Sequence, residues 1–327
     1  MLRGKIIGTG SYLPEKILTN ADLEKIVETS DEWISQRTGI KQRHIAADDE
    51  TTSDMALIAA ERALKSAKIE PNDIDCILVA TVTPDMSFPS TACILQDRLQ
   101  TQTCMAMDLS AACSGFVYGL HLANSLIASN QVKNILLIGA EKLSTITDYT
   151  DRNTCVLLGD AAGAVVITPS ETTQGILGTY VGADGSKGEL LKRPGGFSRQ
   201  PLQKMDPYDF HNLYMYMDGK AIFKSAIHRM TSSLSFALEK ADKKLEDLNM
   251  VIPHQANIRI IDMVREYAKL SPEQVYVNID RTGNTSSATI PVAIDEVIKA
   301  DKLKKGDIVG LTAFGGGLTY GAAIIEI

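Results

Sequence analysis

The chain has 327 residues, of which 44% are hydrophobic and 22% charged, and a formal net charge of −7. That length exceeds one typical domain and the apolar content can bury a sizeable core, so two domains or two fused halves are expected. The acidic balance disfavours general nucleic-acid binding, and no stretch approaches the ~18 consecutive apolar residues of a membrane span.

At the N-terminus, MLRGKIIGTGSYLPEK has too short an apolar run for a signal peptide, which makes the cytoplasm the expected location. GTGSY there and GDAAGA from Gly159 look faintly like nucleotide loops. Neither carries the full G-x-G-x-x-G pattern with a following helix and ribose-binding acid, so no dinucleotide cofactor is expected. Five cysteines (Cys76, Cys93, Cys104, Cys113, Cys155) are odd in number and scattered without a C-x-x-C pair. They read as reduced thiols rather than a disulfide framework or a zinc site, and no metal is expected.

Apolar residues at helical spacing predict a helix over 53–68, and CILVATV from Cys76 predicts a buried strand. MAMDL, Met105 to Leu109, reads as a second short strand. A helix over 114–129 follows it, which puts Cys113 at a strand-to-helix junction. There, free backbone N–H groups and the helix dipole favour a thiolate, the form that attacks carbonyls. Taken alone, a cysteine is more often a small buried hydrophobe. NILLIGA from Asn134 and AVVIT from Ala164 add strands. The segment 186–214, rich in Pro, Gly and charge without a period, reads as a long surface loop, either a flap over substrate or a plain connection. MVIPH from Met250, a helix over 257–270 and DIVGLTAFG from Asp307 complete an alternation that implies α/β layers with largely buried sheets.

The two halves of the chain, 1–170 and 171–327, carry a weak repeat. CILVATVTPD precedes MAMDLSAACSG as MVIPHQAN precedes YVNIDRTGNTSS, with 32 residues from Thr81 to Cys113 and 30 from His254 to Asn284. Cys113 and Asn284 therefore fall at corresponding strand ends, with His254 on another. A thiol, an imidazole and an amide suit acyl transfer, the first attacking a carbonyl carbon and the others donating hydrogen bonds to developing oxyanions. Gly315, Gly316 and Gly317 let backbone approach a ligand closely, and one of their N–H groups with that of Cys113 could form an oxyanion hole. The alternative for this triplet is a tight β-turn.

AACSG, PHQANIRI, DRTGNTSSA and AFGGGLTYG, in this order and spacing, resemble the β-ketoacyl-acyl carrier protein synthase III family. TNADLEKIVETSDEWISQRTGI, TVTPDMSFPSTAC, DRNTCVLLGDAAGA and GKAIFKSA extend the resemblance from end to end. It implies the thiolase fold, two similar halves in a five-layer αβαβα sandwich, assembled as a homodimer. It also implies a ping-pong reaction that initiates type II fatty acid synthesis. Cys113 takes an acyl group from acyl-CoA. Malonyl-acyl carrier protein then loses CO₂ and attacks that thioester to give 3-oxoacyl-acyl carrier protein. His254 and Asn284 are implied to stabilise the enolate, and the backbone N–H groups of Cys113 and Gly316 to hold the oxyanion.

The resemblance further implies a CoA site in which Trp33, the chain's single tryptophan, and Arg152 sandwich the adenine while Arg37 meets phosphate. Stacking and cation–π contacts suit a flat base, and arginine suits phosphate. Gly219 and Asn257 would line the pantetheine channel. Lys224 and Arg259 would meet the acidic carrier protein, although the helix continues with Glu266 and Tyr267 where basic charge is expected. Phe88 would reach the partner subunit's acyl pocket. Leu158, where some family members have phenylalanine, would widen that pocket for branched or longer primers; repacking without functional effect is the alternative. Ala161 replaces a glycine often found there and is expected to change little. The competing readings are a related CoA-primed acyltransferase or polyketide starter enzyme, a cysteine hydrolase, and an inert carrier-protein-binding scaffold.

Overall fold

The computed structural model describes residues 2–170, 172, 174–206 and 210–327. Two sheets form its frame. In the first, Arg3–Tyr12 lies antiparallel to Ala161–Ser170, which lies antiparallel to Ile135–Glu141; Cys76–Ala80 and Met105–Leu109 continue parallel to it. In the second, Gly175–Ala183, Thr319–Glu326, Ile308–Gly315 and Met250–Pro253 repeat that order and those directions. Where a fifth strand would complete the match, a single parallel bridge joins Val251 to Val275.

Ile135–Glu141 and Cys76–Ala80 are buried along their whole length, because helices cover both faces of the sheet. Thr52–Ala67 packs on the outside of the first sheet, its start fixed by a reciprocal Thr51–Asp54 capping box. Gly115–Ala128 and Thr289–Lys299 fill the space between the sheets, and Gly219–Ala241 covers the outside of the second. The result is the five-layer αβαβα sandwich of the thiolase fold.

The expected strands and helices form within a few residues of their predicted limits. GTGSY, however, is part of the edge strand Arg3–Tyr12. Cβ atoms at Gly8 and Gly10 would run into the backbone of Ala67 and Ala59 respectively, so these glycines let helix Thr52–Ala67 sit on the strand and cradle no phosphate. The 186–214 segment folds as 3₁₀ turns (Gly185–Leu190, Leu202–Lys204, His211–Leu213), and Leu191–Lys192 pairs with Tyr216–Met217. Its residues 207–209 lie outside the described ones.

Parallel strands that all end on one side gather their following loops there, the usual place for chemistry in α/β sheets. The loops after Ala80, Leu109 and Pro253 and the end of Ile308–Gly315 carry the residues of the candidate site.

Candidate active site

After Leu109 the chain turns sharply. Ala112 adopts φ +46, an uncommon conformation for a residue with a Cβ, and the 3₁₀ turn Ala112–Ser114 leads into helix Gly115–Ala128. Cys113 sits half-buried in that turn. The Thr319 hydroxyl donates to the Ala111 carbonyl at 2.8 Å and holds the turn against the second half. Gly315 packs directly on Cys113: a Cβ there would lie 2.6 Å from the Cys113 nitrogen. Gly316 follows, facing Ala112 and Leu191, so the start of the 186–214 segment borders the glycine turn.

The electrostatics correct one expectation. Burial pushes the Cys113 thiol up to about 12, the Glu141 side chain adds to the rise, and the polar Ser286 side chain and the Cys113 N–H oppose it without winning. Cys113 therefore rests as a thiol. The sequence displays the helix end but not the depth of the site. Burial also raises Cys76 to about 12 and Cys155 to about 11, so acidity does not distinguish Cys113 from these core cysteines. Its neighbours do.

His254 follows Pro253 at the end of its strand, where its N–H donates to the Thr312 carbonyl at 2.8 Å. Only 1% exposed, it is held neutral by desolvation, which lowers its pKa to about 3. Its Nδ1 lies 2.7 Å from Thr289 Oγ1, which in turn lies 2.9 Å from the Ser286 carbonyl. The Thr289 hydroxyl has one proton for these two neighbours. When the Ser286 carbonyl, which can only accept, takes it, Nδ1 carries the ring proton and donates to Thr289. When the hydroxyl turns to donate to Nδ1 instead, the ring proton sits on Nε2 and the imidazole is a donor there.

Asn284 stands on a loop zipped to the first half. Its N–H donates to the Leu157 carbonyl at 2.8 Å and its carbonyl accepts from the Gly159 N–H at 3.0 Å, which sets buried Leu158 beside it. The Ser286 N–H donates to Asn284 Oδ1 at 2.9 Å. That N–H requires an acceptor, which fixes the amide orientation and leaves the two Nδ2 protons for another partner.

Sequence reasoning missed Glu141 and Ser286. Glu141 is fully buried at the end of its strand. Its Oε1 accepts from Ser286 Oγ (3.1 Å) and Ser287 Oγ (2.9 Å), and its Oε2 from Thr81 Oγ1 (3.2 Å), the Val82 N–H (3.0 Å) and Thr83 Oγ1 (2.7 Å). Desolvation raises its pKa and these hydrogen bonds oppose the rise. The spacing Asn284-x-Ser286 suits a side-chain turn and was the available signal for Ser286. Nothing in GAEKLS marks Glu141 as different from a surface acid.

Of the expected CoA residues, Trp33, Arg37, Arg152 and Asn257 lie together. Helix Asp31–Thr38 carries Trp33 and Arg37, and the Asn257 amide, which caps helix Ile258–Tyr267, donates to the Arg37 carbonyl at 3.1 Å. Arg37 and Arg152 both lie over the Trp33 ring itself, 5.5 and 5.3 Å from its centroid. Thus Arg152 stands directly over the indole rather than apart from it as the far side of a sandwich. Gly219 opens helix Gly219–Ala241 behind the cap of Asp218. Lys224 is exposed on that helix, and Arg259, on the adjacent one, lies over Phe223 at 5.6 Å. Arg265 pairs with Asp262 and Glu266, so the charge there is partly neutralised. Phe88 is 85% exposed. Among the described residues, no group of three or more His, Cys, Asp or Glu could hold a metal, and no helix is long and apolar enough to cross a membrane.

A cysteine at a helix start backed by a glycine turn, with a buried neutral histidine at another strand end and an oriented amide on a loop of the second half, set on two repeated sheets, places the chain in the class of thiolase-fold condensing enzymes. Residues 107–185 match the 3-oxoacyl-[acyl-carrier-protein] synthase III description, and residues 238–327 match its C-terminal counterpart. Beta-ketoacyl-[acyl-carrier-protein] synthase III of Caldanaerobacter subterraneus subsp. tengcongensis is 50% identical over 98% of this chain and 97% of its own. The crystal structure of the Aquifex aeolicus synthase III superposes with a TM-score of 0.92 at 49% identity, covering 99% of this chain and all of that one. The priming β-ketosynthase of the R1128 polyketide pathway does so at 0.94 with 31% identity, over 99% and 96%. The chain belongs to the 3-oxoacyl-[acyl-carrier-protein] synthase III family, whose members are condensing acyltransferases acting on acyl-CoA and malonyl-acyl carrier protein.

Proposed function

We propose that Cys113, His254 and Asn284 perform the two half-reactions of the condensation that initiates fatty acid synthesis in this chain. Cys113 attacks the carbonyl of an acyl-CoA, the oxyanion rests on the N–H groups of Cys113 and Gly316, and CoA departs with the proton that the thiol loses. Malonyl-acyl carrier protein then releases CO₂. The resulting enolate, held by His254 and Asn284, attacks the acyl-Cys113 carbonyl, and the sulfur leaves as a thiolate that regains a proton from solvent. Neutral donors suit this second step, because they stabilise the enolate oxygen without quenching its carbon.

The orientation of Asn284 carries this reading. In a cysteine hydrolase an asparagine or aspartate accepts from the histidine and orients it for proton abstraction. Here Asn284 Oδ1 is occupied by the Ser286 N–H and His254 Nδ1 by Thr289, so amide and imidazole stand as separate groups. That separation supports two parallel donors over a relay to water.

The CoA end of the site follows the same chemistry. The adenine inserts against Trp33 as Arg152 lifts from the ring, Arg37 takes phosphate, and the pantetheine arm passes Gly219 and Asn257. Lys224 and Arg259 meet the acidic carrier protein. Leu158 and the partner's Phe88 bound the acyl pocket of a homodimer, within halves 1–170 and 171–327, and the enzyme works in the cytoplasm without a cofactor.

Intact-mass measurement after incubation with acetyl-CoA tests the proposal. One acyl adduct is expected on wild type and none on Cys113→Ala. An adduct that persists in Cys113→Ala would move the nucleophile elsewhere, and hydrolysis of the adduct without any product from malonyl-acyl carrier protein would favour the hydrolase.

A further inference from the structure

The backbone beside His254 and the segment that leads to Asn284 converge on one fully buried side chain, Gln255. Its Nε2 donates to the Pro253 carbonyl at 2.8 Å and to the Tyr276 carbonyl at 3.1 Å. Its Oε1 accepts from the Asn278 N–H at 3.1 Å and the Ile279 N–H at 3.2 Å. Two amide hydrogens meet two carbonyls and the oxygen meets two N–H groups, so the side chain can face only one way.

These bonds bear on both proposed enolate donors. The bond to Pro253 closes a short ring around His254, whose own N–H is fixed on the Thr312 carbonyl. The bonds from Asn278 and Ile279 hold the start of the four-residue helix Ile279–Thr282, which the Asn278 side chain does not cap because it turns to Glu296 at 2.7 Å. At the far end of that helix the Gly283 N–H donates back to the Ile279 carbonyl at 3.0 Å, and Asn284 follows at once. Gln255 is thus one peptide bond from His254 and one helical turn from Asn284. The backbone ladder between these segments is short, a bridge of Val251 to Val275 with the Tyr276 N–H on the Val251 carbonyl at 2.9 Å. Gln255 carries the connection past the strand end to where the donors stand.

We propose that Gln255 is the positioning residue that sets His254 and Asn284 at a fixed spacing around the enolate. This rests on the assignment of those two donors in the preceding section. Asn257, two residues further on, has its own tie to the Arg37 carbonyl, so loss of the Gln255 amide leaves the CoA end of the site in place.

Gln255→Met keeps the length of the side chain and removes all four hydrogen bonds. The two half-reactions are read separately, adduct formation from acetyl-CoA by intact mass and single-turnover CO₂ release from malonyl-acyl carrier protein by the acylated enzyme. Adduct formation is expected within about twofold of wild type, while CO₂ release falls by roughly 10–100-fold, the scale set by misplacing a donor by about 1 Å. The same substitution should cost several-fold less when made in His254→Ala or in Asn284→Ala, because part of what it positions is already gone. A residue that only supports the fold slows both half-reactions together and costs the same factor in every background; either result overturns the proposal. If Gln255→Met does not fold, Gln255→Glu, which keeps the acceptor for Asn278 and Ile279 and loses the two donated bonds, is held to the same split. If neither variant folds, hydrogen exchange in the wild-type enzyme decides. Exchange of segment 276–283 as slow as that of buried strand Met250–Pro253 is expected, and exchange at open-loop rates overturns the proposal. Normal CO₂ release in Gln255→Met beside impaired His254→Ala and Asn284→Ala strikes the positioning role alone, whereas normal release in those two variants strikes the proposed function itself.

Discussion

His254 illustrates how one residue's burial sets both its chemistry and its cost. With a folded pKa near 3 and an ordinary value of 6.5, the unfolded chain binds a proton between these values that the folded chain does not. The group's contribution to stability is therefore complete above pH 6.5 and is lost progressively as the pH falls towards 3. At pH 5 the loss amounts to roughly 2 kcal/mol. Urea unfolding of wild type and His254→Gln at neutral pH and at pH 5 should show that difference between their pH responses. No such difference would mean that the ring titrates normally. In catalysis the same neutrality predicts no inflection near pH 6.5 in malonyl decarboxylation. His254→Ala should still form the acyl adduct while decarboxylation falls by about 10²-fold, the usual effect of removing one oxyanion donor. Quantifying adduct by mass and CO₂ release separately distinguishes the two half-reactions.

At the scale of elements, the end of strand Ile308–Gly315 closely constrains the turn that carries Cys113. Gly315→Ala would set a methyl 2.6 Å from the Cys113 nitrogen, so the turn or the nucleophile must move. The expected result is a destabilisation of about 1–3 kcal/mol together with a loss of adduct formation, read by thermal unfolding and intact mass. Normal acylation kinetics in this variant would show that the turn has room to adjust. Much of this was visible in the sequence. MAMDL, AACSG, PHQAN and GNTSS mark the strand ends because apolar runs stop abruptly at polar residues there. Strands Arg3–Tyr12 and Gly175–Ala183 were not read as strands, because their glycines break the apolar pattern for reasons of packing on helices. Helix Gly219–Ala241 was seen only as a short motif. The Glu141–Ser286 link was hidden for a different reason. It joins residues 145 positions apart, and its energetics come from burial, which no local pattern displays.

The whole molecule carries Cys113 in its first half, His254 and Asn284 in its second, and an unburied aromatic, Phe88, and that aromatic raises the question of which subunit it serves. Phe88 is 85% exposed, and Met86 and Met105 are also exposed. Exposed apolar side chains of this size mark an interaction surface when they cluster. If Phe88 bounds the acyl pocket of the partner, its effect on primer choice travels in trans, and mixed dimers expose this. The Phe88→Ala homodimer should accept longer primers than wild type in competition between acetyl-CoA and isobutyryl-CoA. In a heterodimer of one Phe88→Ala protomer with one Cys113→Ala protomer, the remaining active cysteine belongs to the chain that lacks Phe88. In a pocket built in trans, that cysteine meets the intact Phe88 of the other chain. A pocket built in trans gives this heterodimer the wild-type primer preference, whereas a pocket built in cis gives it the preference of the Phe88→Ala homodimer. Differently tagged protomers, purified through both tags and assayed for the two primers by intact mass, read this directly. Leu158→Phe adds an independent handle on the same pocket. Leu158 is buried beside Asn284, so a bulkier side chain there can be accommodated only by filling acyl space or shifting that loop. A swing towards acetyl-CoA of about tenfold, with adduct formation from acetyl-CoA retained, would place the added ring in the acyl space, since one or two methylenes of pocket volume are worth that much discrimination.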